Sequence, residues 1–336
     1  MGTLPTLALT ATLYVAWNIG ASDTANAMGT AVGARIITYR RAITFFILFV
    51  LLGAMLEGWK LIQPVGKEII TGPIFQLHPH LIFFAMLCAG VAVMISTKYG
   101  FPVSTHQAIV GGLTGAGVAA CMFASPSIAA QTGVNLDKIV EILIAWGLTP
   151  VGAMVFAAIL CHGFRCTISM VKDPAKLNSI FSLGVIVTGC YVAYVMGAND
   201  LGTVMGGFYA TQAEGTAPHF VSEMTLAGAA MVAIGSICWG ERVVKTVGRG
   251  IAPLSPMTAL VAQLSASVTI HLFTQWGLPV SMSQAIVSSV VGVGWAMDIS
   301  MIRKEKVKKM ILMWIIVPLI ATMLSFSLAS LFLSAM

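Results

Sequence analysis

Residues 20–29 read GASDTANAMG, and residues 197–206 read GANDLGTVMG. Residues 97–112 read TKYGFPVSTHQAIVGG, and residues 274–289 read TQWGLPVSMSQAIVSS. One shift of 177 positions relates both pairs. A weaker third match carries Lys138, Trp146 and Pro150 onto Lys306, Trp314 and Pro318, at a shift of 168. The longer loop near Pro126–Asn135 absorbs the difference. An acidic, Gly-rich interruption that occurs twice in an apolar chain points to a transport protein built from two repeats.

The surrounding composition sets the class. Of 336 residues, 58% are hydrophobic and 9% are charged, and mean hydropathy is +0.92. Soluble domains carry about 25% charged residues. The chain divides into five apolar segments per repeat, each close to the ~20 residues that cross a hydrocarbon core. They cover about 4–20, 42–59, 80–97, 105–124 and 139–163, then about 179–197, 221–239, 257–276, 280–297 and 310–335. The repeats are expected to occupy residues 1–170 and 171–336, joined through 165–178, where Lys172, Asp173, Pro174 and Lys176 lie. Residues 4–20 read as a membrane helix and not as a cleaved signal peptide.

An odd number of crossings per repeat makes the two copies enter the membrane in opposite senses. With both termini outside, the inner loops hold Arg35, Arg40 and Arg41; Arg165, Lys172 and Lys176; Arg242, Lys245 and Arg249; and the run from Arg303 to Lys309. These are 14 of the 18 basic residues, a strong positive-inside bias. Only Lys60, Lys67, Lys98 and Lys138 fall elsewhere. The net charge of +6 is therefore a matter of topology and membrane lipid, not of nucleic acid. The expected fold is an all-α polytopic membrane protein, an inverted-topology repeat with broken helices and two helical hairpins meeting near the midplane. Six cysteines lie in or beside apolar runs without metal-ligand spacing, and read as small packing residues.

The two motifs divide the chemistry. Glycines weaken a helix by about 1 kcal/mol each, and Asp and Asn favour caps over helix interiors, so unwinding is expected at Gly20–Gly29 and Gly197–Gly206. An Asp at this depth costs about 3 kcal/mol on insertion scales and needs a cation, a proton or a polar network. Asp23 and Asp200 are the candidates to hold a coupling cation. In the second motif, Pro102 and Pro279 each mark the start of a helix. Its first turn carries hydroxyls and offers free N–H groups and a partial positive charge to an anion. Ser104, Thr105, His106 and Gln107 lie at one start; Ser281, Ser283 and Gln284 lie at the other. Cations at the aspartates would offset an oxyanion at the helix starts, which couples the two physically.

With these residues quoted, the chain resembles the inorganic phosphate transporter family, PiT, whose signature duplicates a GANDxAN and a GxPVSTTH motif. The resemblance spans essentially the whole chain. It implies a symporter that moves inorganic phosphate across the cell membrane with Na⁺ or H⁺, by alternating access. It also implies that Asp23, Asn26, Asn199 and Asp200 bind the coupling cation, and that Ser104, Thr105 and Ser281 bind phosphate. Thr203, in the place of a motif Asn, joins the cation set. Departures stand at Ser22, Gly202, Thr203, His106, Gln107, Met282 and Gln263, and bear on substrate and ion number. Sulfate is the alternative oxyanion, and retention of both aspartates favours phosphate. An anion channel is a further alternative. An intramembrane enzyme is not supported, because neither HExxH nor GxSxG occurs. No cofactor is expected beyond the coupling ion, and a homodimer is left open.

Three single residues stand apart. His106 reads either as a protonatable donor to phosphate or as a neutral histidine bonded within its hairpin. Glu57, beside Gly58 and Trp59, reads as interfacial. Lys98 precedes the first hairpin turn, where its counterpart is Gln275.

Overall fold

A computed structural model describes residues 3–98, 103–168, 173–213, 218–241, 243–244, 255–297 and 304–336. Gly100, Pro102, Lys172, Arg242, Lys245, Arg249 and Arg303, which carried parts of the reading above, lie outside the described residues. The first repeat contributes helices α1 (Thr3–Gly33), α2 (Tyr39–Glu57), α3 (Pro79–Lys98), α4 (Thr105–Phe123) and α5 (Leu136–Ile168). The second contributes α6 (Pro174–Met196), a π-helical turn at Gly197–Leu201, and α7 (Gly202–Tyr209). It continues with α8 (Pro218–Gly235), α9 (Pro256–Gln275), α10 (Met282–Ala296) and α11 (Lys304–Ser334). Each of the ten expected segments falls on a helix. Among the described residues, eight helical stretches are long and apolar enough to cross a membrane; α10, at 15 residues, is shorter.

Polarity is distributed as a bilayer demands. Leu312, Ile315, Leu319 and Met323 on α11, and Leu143 and Ile144 on α5, are exposed. Hydroxyls, amides and carboxylates such as Thr12, Asn18, Asp23, Asn199, Asp200 and Gln263 are buried instead. Hydrocarbon satisfies the outer side chains, and polar groups must find partners inside the bundle.

The two repeats interlock crosswise. Helix α4 packs on α11 and α10 on α5, while α1 packs on α8 and α6 on α2. Glycine pairs make the second set of contacts. A Cβ on Gly20 would stand 1.9 Å from the Val232 carbonyl oxygen, and one on Gly235 would stand 2.1 Å from that of Trp17. The equivalent crossing puts Gly197 at 2.0 Å from the Val50 oxygen and Gly53 at 1.8 Å from that of Tyr194. Small residues let membrane helices approach backbone to backbone, which is where association energy in lipid comes from.

This corrects one expectation. Helix α1 does not unwind at Gly20–Gly29 but runs unbroken through Asp23 and Asn26. Gly20 is a packing contact and not a break. The hydroxyls of Ser22 and Thr24 donate to the carbonyls of Asn18 and Gly20, at 2.8 and 2.7 Å, so they hydrogen-bond into the helix that carries them. Only the second copy departs from α geometry, as the π turn at Gly197–Leu201. Such turns insert one residue into the ladder and often sit at functional positions.

Candidate functional site

Both hairpin helices begin with the same cap. Ser104 is extended (φ −91°, ψ 112°) and its Oγ accepts from Gln107 N at 3.3 Å. Ser281 (φ −94°, ψ 117°) accepts from Gln284 N at the same 3.3 Å. A serine that leaves the helix path at the N-cap satisfies one of the orphan donors of the first turn. The two tips touch: the Ser283 hydroxyl donates to the Val103 carbonyl at 3.2 Å.

The acidic motifs converge on these tips. The Asn26 amide donates to Asp23 Oδ1 at 3.1 Å and reaches Ser283 Oγ at 3.5 Å. From the other repeat, Asp200 Oδ1 lies 3.2 Å from His106 Nε2. That is ion-pair distance, but the ring N–H is not aimed along the contact, and neither atom has a hydrogen-bond partner. The site thus draws together Asp23, Asn26, Asp200, Ser104, Thr105, His106, Gln107, Ser281, Ser283 and Gln284, all buried.

Asn199 and Thr203, the other two residues expected at the coupling cation, bond within their own repeat. Asn199 Nδ2 donates to Thr274 Oγ1 at 2.7 Å and to the Leu278 carbonyl at 3.3 Å, and its Oδ1 accepts from Val280 N at 3.3 Å. Its amide is fully engaged in holding the second hairpin. Thr203 donates back to the Asn199 carbonyl at 2.8 Å. The Trp146 indole fixes the same hairpin through the Pro279 carbonyl, at 2.9 Å.

Besides the His106–Asp200 contact, three further side-chain atoms at the tips are left over. Thr105 Oγ1, Gln107 Oε1 and Gln284 Oε1 are buried without a partner. Each such atom costs about 1–3 kcal/mol unless something bonds it. Three of them on two facing helix starts form a cradle for a small ligand that both donates and accepts. Helix starts supply the positive end of the dipole to an anionic one. Behind the tips, a cavity of about 720 Å³ is lined by matched residues of the two repeats, including Gln107 and Gln284, Trp146 and Trp314, and Pro150 and Pro318.

Two features escaped the sequence reading. Glu57, beside the exposed Trp59, is a hub between the repeats. It accepts from Tyr194 Oη at 2.6 Å, from Gln275 Nε2 at 2.6 Å and from Lys60 Nζ at 3.0 Å, and lies 3.0 Å from His271 Nε2. Tyr191 Oη completes the cluster at 2.6 Å from His271 Nδ1. Gln263 knits three helices: it donates to the Ala27 carbonyl (2.9 Å) and to Thr30 (2.6 Å), and accepts from Thr188 (2.7 Å). The only sequence signals were a carboxylate and an amide in apolar surroundings.

A multi-pass helical bundle with a buried polar centre shared between two interlocked repeats is a membrane transporter, not an enzyme. Residues 19–325 match the phosphate transporter family, and the chain belongs to it. A protein of Methanocaldococcus jannaschii named as a phosphate permease is 28% identical, over 95% of each chain. One so named from Pyrococcus furiosus is 27% identical over 90% of each. The chloroplastic inorganic phosphate transporter 2-1 of Arabidopsis thaliana is 25% identical over 92% of this chain and 69% of its own length. Among solved structures, one titled the sodium-dependent phosphate transporter superposes with a TM-score of 0.84, at 24% identity, over 98% of this chain and 99% of its own.

Proposed function

We propose that the protein is a symporter that carries inorganic phosphate across the cell membrane together with Na⁺ or H⁺, by alternating access around the two hairpin tips. The carrying observation is the set of unpartnered buried atoms, Thr105 Oγ1, Gln107 Oε1 and Gln284 Oε1, at two capped helix starts beside two buried carboxylates. Phosphate at neutral pH presents both acceptor oxygens and an O–H. It therefore bonds the Thr105 hydroxyl and the first-turn N–H groups, and donates to a Gln carbonyl. Sulfate lacks the proton and leaves the Gln oxygens unsatisfied, which favours phosphate at this site.

Ser104 and Ser281 shape the tips as caps, and Ser283 joins them. Asp23 and Asn26 hold the coupling cation, and its charge offsets that of the phosphate. Asn199 supports the second hairpin, so the cation segment and the anion segment move together. The crosswise packing supports an inverted relation between residues 1–170 and 171–336. The charge bias supports both termini outside, with bilayer lipid against α5 and α11.

The test is uptake of radiolabelled phosphate into proteoliposomes under separately imposed Na⁺ and H⁺ gradients, with sulfate and arsenate as competitors. Saturable uptake driven by one cation gradient and displaced by arsenate before sulfate is expected. Sulfate displacing phosphate at the lower concentration would reverse the substrate assignment, and unsaturable flux without a cation gradient would mark a channel.

A further inference from the structure

The two acidic centres match in sequence and differ in structure. The shift of 177 positions that carries Asp23 onto Asp200 also carries His106 onto Ser283. Each hairpin residue reaches across to the acidic motif of the other repeat. Ser283 meets the Asn26–Asp23 pair, with Asn26 Nδ2 at 3.5 Å, and His106 meets Asp200, at 3.2 Å. Equivalent positions in the two repeats therefore hold a small hydroxyl on one side and an imidazole on the other.

That exchange decides what each carboxylate can bind. At Asp23, the Asn26 amide donates at 3.1 Å with the Ser283 hydroxyl beyond it, Ser22 stands beside it, and the nearby charged side chain is another carboxylate, Asp200. Among the described residues, no basic side chain lies within ion-pair distance of Asp23. A buried carboxylate so placed calls for a cation from solution. Asp23 Oδ1 and the Ser283 hydroxyl, both on the Asn26 amide, are hard oxygen donors of the kind such an ion takes. At Asp200, an imidazole edge already stands against Oδ1, and both side chains are at most 3% exposed. A proton on Nε2, the tautomer a carboxylate favours, places an N–H edge within 3.2 Å of Oδ1, off the direct line of the contact. The ring fills the space in front of the oxygen and replaces hydroxyl donors by a nitrogen that cannot ligate while it carries that proton.

Building on the reading of a cation-coupled transporter, we infer that His106 is a built-in substitute for a bound cation at Asp200. The protein therefore takes one coupling cation per phosphate, at Asp23 and Asn26, where the duplication would provide two. Met282, opposite Thr105 in the repeat, lies on the hairpin that serves Asp23, so the tips differ in both positions that follow the cap. His106 is in this view the residue that sets ion number.

The experiment counts sodium. Equilibrium binding of radiolabelled Na⁺ to the purified full-length protein, titrated to saturation at constant ionic strength, gives sites per chain without reference to transport. One site is expected for the wild type and none for Asp23→Asn. His106→Ser, which copies the other repeat, is expected to bind two. His106→Gln, which keeps an N–H donor and most of the volume, is expected to remain at one. Two sites or none in the wild type would overturn the inference, as would an unchanged count in a folded His106→Ser. The wild-type count decides even where that variant fails to fold. Phosphate uptake is scored separately: a wild type with one Na⁺ site and no phosphate uptake would sink the symporter reading and leave the role of His106 standing.

Discussion

The Asn199 side chain donates to the Thr274 hydroxyl at 2.7 Å, which ties the acidic motif of the second repeat to the hairpin that follows it 75 residues later. The same amide holds both strands of the turn, through the Leu278 carbonyl and the Val280 N–H. An acidic segment and an anion-facing helix start are thus one mechanical unit. Neutral hydrogen bonds contribute about 1 kcal/mol each, and stranded buried partners cost more. Asn199→Ala is expected to lower stability by about 3 kcal/mol. A fall in the thermal midpoint together with lost phosphate binding checks this; a variant that melts like the wild type refutes the clamp.

Gly20 and Gly235 make opposite demands from those of Gly147. Gly20→Ala sets a methyl 1.9 Å from a backbone oxygen on α8, and nothing stands within 4 Å of a Cβ on Gly147. Backbone cannot rotate away as a side chain does, so the two helices must separate. Gly20→Ala is expected to cost more than 3 kcal/mol and to sharply reduce folded protein in the membrane. Gly147→Ala is expected to stay within about 0.5 kcal/mol. Fluorescence-detected size exclusion of the two variants side by side reads the difference.

Thr105 trades stability for binding. Its hydroxyl is buried and unpartnered. Thr105→Val keeps the shape and removes an unsatisfied oxygen, so the ligand-free protein is expected to hold or gain stability, by up to about 1 kcal/mol. Phosphate affinity is expected to fall about tenfold or more, because a hydrogen bond to a charged group contributes about 1.5–3 kcal/mol. Thermal unfolding with and without phosphate measures both. A variant that loses stability and keeps its phosphate affinity would place the ligand elsewhere.

Glu57 joins the repeats away from the tips. Its four partners come from both, with Lys60 in the first and Tyr194, His271 and Gln275 in the second. Glu57→Ala leaves a hydroxyl, an amide, an ammonium and an imidazole without their shared acceptor, and is expected to cost about 2–4 kcal/mol. Tyr194→Phe removes one bond of 2.6 Å to a carboxylate and is expected to cost about 1.5–3 kcal/mol. A double-mutant cycle on the pair should show coupling above 0.5 kcal/mol, and additive losses would argue against a shared network.

Some features of this chain follow from local order alone. Hydropathy located apolar segments that each fall on a helix, and eight helical stretches among the described residues are long and apolar enough to cross a bilayer. The Pro-Val-Ser sequence at Pro279–Ser281, and the Ser104 that matches Ser281, placed the caps, since a proline and a small hydroxyl residue define a helix start whatever packs around it. The burial of Asp23, Asn26, Thr105 and Gln107 was legible for the same reason: each lies in a duplicated motif that hydrocarbon would not tolerate as decoration.

Other features needed the fold, because they depend on contacts between residues far apart in the chain. Gly20 reads as a helix breaker from propensity, and only the Val232 carbonyl beside it shows that it is a packing surface. Glu57 gains its partners from residues at least 137 positions away, apart from Lys60. Asn199 was expected among the cation ligands, and only the fold shows that its amide also bonds the second hairpin. His106 was open between phosphate and its own hairpin, and crosswise interlock sets it 3.2 Å from Asp200 of the other repeat. The amino-acid sequence by itself made two similar halves; the way they cross made their two acidic centres different, since a side chain acquires its partner from the surface it is packed against and not from its neighbours along the chain.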